Sequence, residues 1–412
     1  MTRSLRWLRA PGQTARFTLI VTLLWSITLL VIFARIAFTP QRNTVFSTFA
    51  LGGSHWLQGV DLYDNYRGFV YSPLAAAFFA PFTLLPVALA DILWRVLNVA
   101  IYLGAVGWWL RARLPDIPPR HHTLALLLLL PLSIGNLNNG QVNPIIIGLL
   151  MISLLAVHEE RWNLAAFCVA ATTYFKIYPL ALGLVLVVLF PKRFAWRLLV
   201  ALLLLGAVSF LLQQPAYVWK QYQLWFATRT GDDRRLYKMN IAPRDLWMLL
   251  RLVHISISER LYTFIQVLSG AGVALFCWLA RRRGWPQTRV FALLLSLVIS
   301  WMLLCGPATE SATYVLLAPP VTFVLLEAFA LPSSRPMRAW IVTSYATLLF
   351  ALQLNSFFHL RKSVYSMSVQ PAAALLFVGY VIARCFSTPP ATSALATDHR
   401  RKRLAASADG AS

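Results

Sequence analysis

Long apolar blocks separated by short polar segments run through most of this chain. A block of about 20 apolar residues is enough to span a membrane as a helix. The clearest candidates cover residues 18–38, 261–280, 290–305, 312–329, 339–354 and 371–383. Shorter apolar blocks cover 73–90, 92–110, 124–134, 144–157, 164–175, 180–190 and 198–212. No block alternates with the period of two that a transmembrane strand shows, so the pattern predicts helices.

The composition excludes a soluble domain of this length. Of 412 residues, 58% are hydrophobic and 12% are charged, and the mean hydropathy is +0.64. This balance predicts an all-α, polytopic membrane protein with about twelve transmembrane helices. Residues 1–16 are expected to form a basic cytoplasmic N-terminus, 17–386 the transmembrane domain, and 387–412 a disordered cytoplasmic tail.

The net charge of +23 does not indicate a nucleic-acid partner, because the basic residues lie at helix ends rather than on one face. They concentrate before the first block, at 192–197, at 281–283 and at 400–403. Such clusters are typical of cytoplasmic loops, and they attract anionic membrane lipids. The first apolar block is too long for a cleaved signal peptide, so we expect a retained anchor.

The four cysteines are widely spaced within or beside apolar blocks, which favours a packing role over a disulfide framework. We also see no dense cluster of carboxylates and histidines, so no metal and no cofactor are predicted.

The basic clusters predict an orientation in the cell (inner) membrane. With both termini inside, residues 39–72, 213–259 and 305–310 lie outside. Both ends inside requires an even number of crossings, yet there are thirteen apolar blocks, so one block does not cross. The first suspect is 73–90, which Pro81 and Pro86 interrupt, and the second is the short pair around Lys176. A broken helix is tolerated where protein or a water-filled cavity covers its backbone.

Polar segments on the predicted outer side hold the candidate binding groups. Segment 39–72 contains carboxylates, and its stretch 45–57 is amphipathic enough to lie flat at the interface. The amides of 136–143 either cap helices or hydrogen-bond a polyhydroxy ligand. The aromatics and cations of 213–259 form either an interfacial belt or a site for a lipid phosphate. The candidate binding residues are His55, Asp64, Arg67, Tyr71, Asn139, Gln141, Asn143, Lys176, Arg244 and Tyr314.

Lys176 lies between two short apolar blocks, in the sequence Tyr-Phe-Lys-Ile-Tyr-Pro. It either snorkels to the membrane surface or, beside the helix-breaking Pro179 in a cavity, pairs with a phosphate. We favour the second interpretation.

At these residues the chain resembles a family of bacterial membrane glycosyltransferases. Gly59-Val-Asp-Leu-Tyr-Asp64, Phe69-Val-Tyr-Ser-Pro-Leu74 and Pro81-Phe-Thr-Leu-Leu-Pro86 are similar to its "G-x-D-x-Y … Y-P-P … P-L-x-x-L-P" pattern. Gly140-Gln-Val-Asn143 matches its "G-Q-x-N" and Lys176-Ile-Tyr-Pro179 its "K-x-x-P". Residues 309–319 lie where the family has an acidic residue and a His before "L-L-x-P". The ordered set covers about residues 40 to 320, and the family includes polyprenyl-phosphate-mannose-dependent mannosyltransferases that act on phosphatidylinositol mannosides.

The resemblance implies a glycosyltransferase C-like fold, an outward-facing site and a polyprenyl-phosphate sugar as donor. In that chemistry a carboxylate removes the proton of the acceptor hydroxyl while the polyprenyl phosphate leaves, with inversion at the anomeric carbon. Such general-base help is typically worth ~10²–10⁴-fold in rate. Cations near the phosphate stabilise the charge that develops there.

The chain departs from the family pattern in two places. The early Asp expected as catalytic base is missing, because Val45-Phe46 follows Gln41-Arg-Asn-Thr44. The usual His is replaced by Ala312-Thr313-Tyr314. Either the base has moved to Asp61 or Glu310, or this branch has changed its chemistry. Asp61 is the best remaining candidate, and its structural alternative is the capping of a turn.

We therefore predict a membrane glycosyltransferase that transfers a hexose, with mannose favoured, to a lipid or cell-envelope glycan acceptor. The alternative is a non-catalytic polyprenyl-lipid-binding protein or a lipid-glycan transporter. A cation-coupled transporter would bury carboxylates in the middle of its helices. Here Asp91 and Glu327 are expected near inner helix ends, which argues against it.

Overall fold

The structure, a computed structural model, describes residues 11–40, 42, 44–63, 68–112, 117–230, 238–239, 242–306, 309–357 and 364–387, and most of them are helical. These residues form no strand, which confirms the all-α prediction. Their α-helices are α1 Pro11–Phe38, α2 Phe46–Gln58, α3 Pro73–Phe79, α4 Val87–Arg111, α5 His122–Asn139, α6 Asn143–His158, α7 Trp162–Phe175, α8 Leu180–Leu189, α9 Pro191–Leu212, α10 Pro215–Thr230, α11 Leu246–Leu252, α12 Glu259–Arg282, α13 Gln287–Cys305, α14 Ala318–Ala330, α15 Arg335–Phe357 and α16 Val364–Ser387. Short 3₁₀ helices cover Ala80–Leu84, Pro119–His121 and Ser311–Leu317.

Seven helical segments of the described residues are long and apolar enough to cross a membrane, which confirms a multi-pass membrane protein. They are Thr14–Phe38, Val87–Arg111, Pro191–Leu212, Glu259–Arg282, Gln287–Cys305, Ser311–Ala330 and Ser368–Phe386. Asn143–His158 and Leu180–Leu189 are apolar but shorter than the ~20 residues of a full crossing. The total of about twelve therefore stays a prediction.

The apolar block at 73–90 is not one crossing helix. Helix α3 gives way to the Ala80–Leu84 3₁₀ helix, and α4 starts only at Val87 after an extended Pro86. This block, the first one suspected of not crossing the membrane, is thus too short to span it, because Pro81 and Pro86 interrupt the hydrogen bonding of the helix.

Helix α2 is amphipathic, as predicted for 45–57. Its buried residues Phe46, Phe49, Gly52, Gly53 and Trp56 share one face. A Cβ on Gly53 would lie 2.8 Å from the backbone of Phe79, so the glycine lets α2 approach the α3 segment closely. Its position at the membrane interface stays a prediction.

Short connections fold helices α5 to α9 back and forth. Turns at 140–142 and 176–179 lie at one end of the bundle, here called the site end. Turns at 159–161 and 190 lie at the other, here called the opposite end. The site end also carries Thr44, since the Arg95 guanidinium donates to its hydroxyl at 3.1 Å. Asp91 pairs with Arg95 there, and Arg95 in turn holds the turn after α5. Glu327 pairs with Arg384 at 2.9 Å near the opposite end. The prediction that both carboxylates lie near inner helix ends is therefore wrong for one of them, because they lie at opposite ends of the bundle.

The 176–179 turn is recessed within the bundle. The Tyr174 hydroxyl, just before this turn, donates to the carbonyl of Leu202 at 2.7 Å. Helix α9 continues from Leu202 to Leu212, roughly 15 Å of further helix at 1.5 Å per residue. Helix α9 therefore extends past this turn toward the site end of the bundle.

Candidate active site

The amide-rich segment forms a tight turn between α5 and α6. Gly140 ends α5 with φ 71°, a conformation that favours glycine. Around it, the Gln141 amide donates to the side-chain oxygen of Asn139 at 3.0 Å, and the Asn143 amide donates to that of Asn136 at 3.3 Å. Asn143 is fully buried, and its own oxygen points to the next turn of the site.

Arg95 of α4 holds this turn through its backbone carbonyls. Its guanidinium donates to the carbonyls of Leu137 and Asn138, both at 2.9 Å. Trp94 donates to the Gly140 carbonyl at 2.8 Å. A Cβ on Gly140 would lie 3.1 Å from the Arg95 guanidinium carbon, so a larger residue would displace this side chain slightly in addition to straining the backbone. Sequence reasoning missed Arg95, although an Arg within a long apolar block was a visible signal.

Lys176 meets the amide turn from the connection between α7 and α8. The residue leaves the helix in an extended conformation, and Pro179 begins the next one. Its ammonium donates to the Asn143 side-chain oxygen at 3.2 Å and lies 5.8 Å from the centre of the Tyr178 ring. Within the described ranges, this ammonium has no carboxylate within ion-pair distance. Burial lowers the pKa of Lys176, and the nearby Glu310 partly opposes that effect.

Glu310 is exposed at the start of the Ser311–Leu317 3₁₀ helix. Its charge acts on Lys176, Tyr71 and Tyr178, and the pKa values of both tyrosines are raised by burial first and by Glu310 second. Tyr178 also donates to Asn143 at 3.4 Å. Glu310 is thus close enough to Lys176 to interact with its ammonium electrostatically.

A polar cavity of about 360 Å³ opens beside the turn. Its polar lining consists of Asn136, Asn139, Gln141, Arg244, Ser311 and Gln353. Three of these are predicted binding residues, brought together from segments far apart in sequence. The Asn136–Asn143 hydrogen bond connects this amide cavity to Lys176.

Arg244 and Tyr314 are also linked, but only one of them faces the cavity. The Tyr314 hydroxyl is buried and donates to the Arg244 carbonyl at 2.7 Å, which is a positioning contact. The Arg244 guanidinium donates to Gln370 at 2.8 Å, and Gln370 donates to the Ser311 hydroxyl at 2.9 Å. Gln370 was missed in sequence, although a Gln at the edge of an apolar block is a polar group in need of a partner.

Asp61 is fastened to helix α10 instead. Its carboxylate accepts a hydrogen bond from Gln221 at 2.7 Å and pairs with Lys220 at 3.0 Å. These two hydrogen bonds lower the pKa of Asp61. His55 contacts the backbone oxygen of Asp61 at 3.2 Å, within the same loop. Among the described residues, no hydrogen bond or ion pair joins Asp61 or His55 to Lys176.

This fastening predicts acid-sensitive stability. Because the pKa of folded Asp61 lies below its ordinary value of 3.8, the interaction stabilises the fold above about pH 4 and is lost as the pH falls through the lowered pKa. Asp61→Asn is therefore expected to melt below wild type at pH 7, and the two melting temperatures should converge below about pH 4. Lys220→Met should weaken the same pH dependence. A melting difference that is constant from pH 7 to pH 3 would contradict the assignment.

Three predicted site residues remain, Tyr71, Asp64 and Arg67. Tyr71 is buried near Glu310, as described above. Asp64 and Arg67 lie outside the described residues. Among the described residues, no group of three His, Cys, Asp or Glu side chains could hold a metal ion, and the absence of a metal requirement stays a prediction.

Fold and site together define a multi-pass membrane protein with a recessed, cation-bearing polar cavity. The model of glycosyltransferase family 87 matches residues 69–307, more than half of the chain, so the protein belongs to that family. This confirms the resemblance read from the motifs. The matched region contains the Gly140–Asn143 and Lys176–Pro179 motifs, whereas Asp61 and Glu310 lie just outside it.

The chain has lower similarity to individual proteins than to the family model. The chain is 26% identical over 244 residues to the polyprenol-phosphate-mannose-dependent alpha-(1-2)-phosphatidylinositol pentamannoside mannosyltransferase of Mycobacterium tuberculosis (strain CDC 1551 / Oshkosh). The match covers 57% of this chain and spans about half of that relative, 54%. The crystal structure of ArnT from Cupriavidus metallidurans bound to undecaprenyl phosphate is similar over 89% of this chain and 76% of that chain, with 15% identity and a TM-score of 0.43. At that TM-score the likeness carries no assignment, and family membership rests on the family model.

Proposed function

We propose that the protein transfers a hexose, with mannose as the first candidate, from a polyprenyl-phosphate sugar to a lipid or cell-envelope glycan acceptor. The observation that carries the proposal is Lys176, a recessed cation without a carboxylate partner among the described residues, beside a polar cavity in a family 87 chain. Mannose is suggested by the donor in the name of the Mycobacterium tuberculosis relative.

Lys176 is suited to hold the phosphate of the donor. An ammonium forms strong charge-assisted hydrogen bonds to phosphate oxygens, and they gain strength where helices exclude water. Asn143 and Tyr178 orient the Lys176 side chain from two sides. The same ammonium stabilises the negative charge that grows on the phosphate as the sugar leaves.

The amide cavity is suited to hold the sugar. Its volume of about 360 Å³ falls within the ~300–1,000 Å³ of small-ligand sites. Side-chain amides both donate and accept hydrogen bonds, which matches the hydroxyl groups of a hexose. Arg244 adds a cation on the wall near Ser311, where it can contact the donor phosphate or an anionic acceptor.

Glu310 is the preferred general base. It is exposed, lies in electrostatic reach of Lys176, and begins the 3₁₀ helix that lines the cavity. It would take the proton of the acceptor hydroxyl as the new bond to the anomeric carbon forms and the bond to the phosphate oxygen breaks, with inversion. Asp61 is the second candidate, and its two hydrogen-bonded oxygens make it less available.

We place the site on the outer side of the cell membrane, because the basic clusters at 192–197 and 281–283 belong to the end opposite the site. The donor would then be reached from the outer leaflet.

The test is purified protein in proteoliposomes with radiolabelled polyprenyl-phosphate-mannose, then with other polyprenyl-phosphate sugars, and a membrane lipid extract as acceptor. Label that moves to a new lipid or glycan product supports the proposal and names the sugar. Binding of polyprenyl phosphate without any transfer would favour the lipid-binding alternative. Movement of the intact lipid across the bilayer would favour a transporter.

A further inference from the structure

The end of the bundle opposite the site carries a second polar cavity. It has a volume of about 290 Å³ and lies where α7, α9 and α13 begin and α12 ends. Its lining includes Glu160, Trp162, Phe190, Arg193, Arg281 and Trp285, and we call it the arginine cavity. The proposed glycosyltransferase activity does not use it.

The two arginines of this cavity are accessible and only partly neutralised. The Arg281 guanidinium donates to the Leu189 carbonyl and lies 4.1 Å from the centre of the Phe190 ring. Arg193 lies 3.1 Å from Glu160, but side-chain exposures of 60% and 73% leave this pair in contact with solvent. Such an exposed ion pair is weak. Arg281 also lies within electrostatic reach of Arg193, so the cavity carries uncompensated positive charge.

The helix ends around the cavity do not decide which charge it prefers. Helices α7, α9 and α13 begin there and helices α6, α8 and α12 end there, so the positive and negative ends of their dipoles offset one another. Backbone groups on both sides already have partners: the Trp162 N–H donates to the Glu160 carbonyl at 3.0 Å, and the Arg161 N–H donates to the Ala156 carbonyl at 2.7 Å. The preference for an anion therefore comes from the two arginine side chains.

Tryptophans at this end mark the depth of the cavity. Five of them lie beneath arginine side chains, with guanidinium-to-ring distances between 4.2 and 6.0 Å. They are Trp108, Trp162, Trp196, Trp278 and Trp285. Tryptophan is enriched where the headgroups of a bilayer meet the hydrocarbon, so the arginine cavity lies at headgroup level.

An apolar groove approaches the same place from within the membrane region. It has a volume of about 540 Å³ and is lined by α8, α12 and α13. Val188 lines it one residue before Leu189, whose carbonyl accepts the Arg281 hydrogen bond. A headgroup at the arginines would therefore have room for an acyl chain along α8.

We propose that the arginine cavity binds the phosphodiester headgroup of an anionic phospholipid, with one acyl chain in the groove along α8 and α12. Arg193 and Arg281 hold the phosphate oxygens, and the neighbouring tryptophans contact the glycerol and upper acyl carbons. The site is separate from the cavity that holds the proposed sugar donor.

Native mass spectrometry of the full-length protein, titrated with phosphatidylglycerol or phosphatidylcholine, tests this proposal. Wild type is expected to retain one phosphatidylglycerol selectively. Arg193→Gln and Arg281→Gln should each weaken that retention at least about tenfold, whereas Arg281→Lys, which keeps the cation, should lose less. The matched control is Arg338→Gln, because Arg338 also contacts a backbone carbonyl and a Phe ring but does not line the cavity.

The melting temperature of each variant shows whether it folds. If Arg281→Gln does not fold, the retention measured for Arg193→Gln decides the proposal. Equal retention of the two lipids would overturn the proposal, as would equal losses in Arg338→Gln and the cavity variants. Soluble glycerol phosphate is the final probe. If it bound as tightly as phosphatidylglycerol, the cavity would be a site for free phosphate compounds and not for a membrane lipid. None of these measurements depends on sugar transfer, so failure here leaves the proposed function untouched.

Discussion

Glu310→Gln is expected to lower the rate constant for sugar transfer by about 10²- to 10⁴-fold, the usual value of a positioned general base. The amide of Gln keeps the size and polarity of the side chain but cannot take a proton from the acceptor hydroxyl. Because Glu310 is exposed and no described residue pairs with it in an ion pair, the substitution should leave the fold intact. Single-turnover transfer from radiolabelled polyprenyl-phosphate-mannose measures the effect.

The matched control is Asp61→Asn, the same change of charge in the other candidate base. It should lower stability at neutral pH and leave the transfer rate within a few-fold of wild type. The opposite ranking, with Asp61→Asn inactive and Glu310→Gln active, would move the base to Asp61. Donor binding by Glu310→Gln should stay near the wild-type level, because a base acts mainly in the transition state.

The pattern of apolar blocks was enough to predict the helical class, because bilayer thickness and helix geometry set the length of each block. It also identified the break at 73–90, since proline removes a backbone donor whatever the tertiary contacts. The prediction that Asp91 and Glu327 lie near the same end of the bundle was wrong. A hydropathy profile gives the length of a helix, but it does not show that Arg95 turns toward the carbonyls of Leu137 and Asn138.

The candidate site was only partly visible in sequence. The amide turn and Lys176 were singled out as polar groups inside apolar surroundings, yet their hydrogen bond joins residues 33 positions apart across two helices. The choice between Asp61 and Glu310 depended on Gln221, which lies 160 positions from Asp61. Local patterns carry no information about partners at that separation, so the sequence favoured Asp61 and did not show that Lys220 and Gln221 occupy its carboxylate.

Lys176→Met is expected to lower kcat/KM for the polyprenyl-phosphate sugar by about 10²- to 10³-fold, the cost of removing one preorganised donor from a developing charge. Methionine keeps most of the length of the apolar lysine stem and removes the ammonium, which lies 5.8 Å from the centre of the Tyr178 ring. The loss should fall on both donor binding and the chemical step, because the ammonium contacts the phosphate before and during transfer. Steady-state kinetics and binding of polyprenyl phosphate separate the two effects.

The matched control for this prediction is Lys220→Met. Like Lys176, Lys220 has one side-chain partner. That partner is Asp61, and the Lys220 side chain on helix α10 is 60% exposed. Removal of an exposed pair costs little, so Lys220→Met should keep kcat/KM within a few-fold of wild type. If the two variants lost activity equally, the effect would reflect overall charge rather than a phosphate site. If Lys176→Met bound and used the donor like wild type, the recessed cation would have no role in transfer, and the phosphate would have to be held by Arg244 on the other wall of the amide cavity.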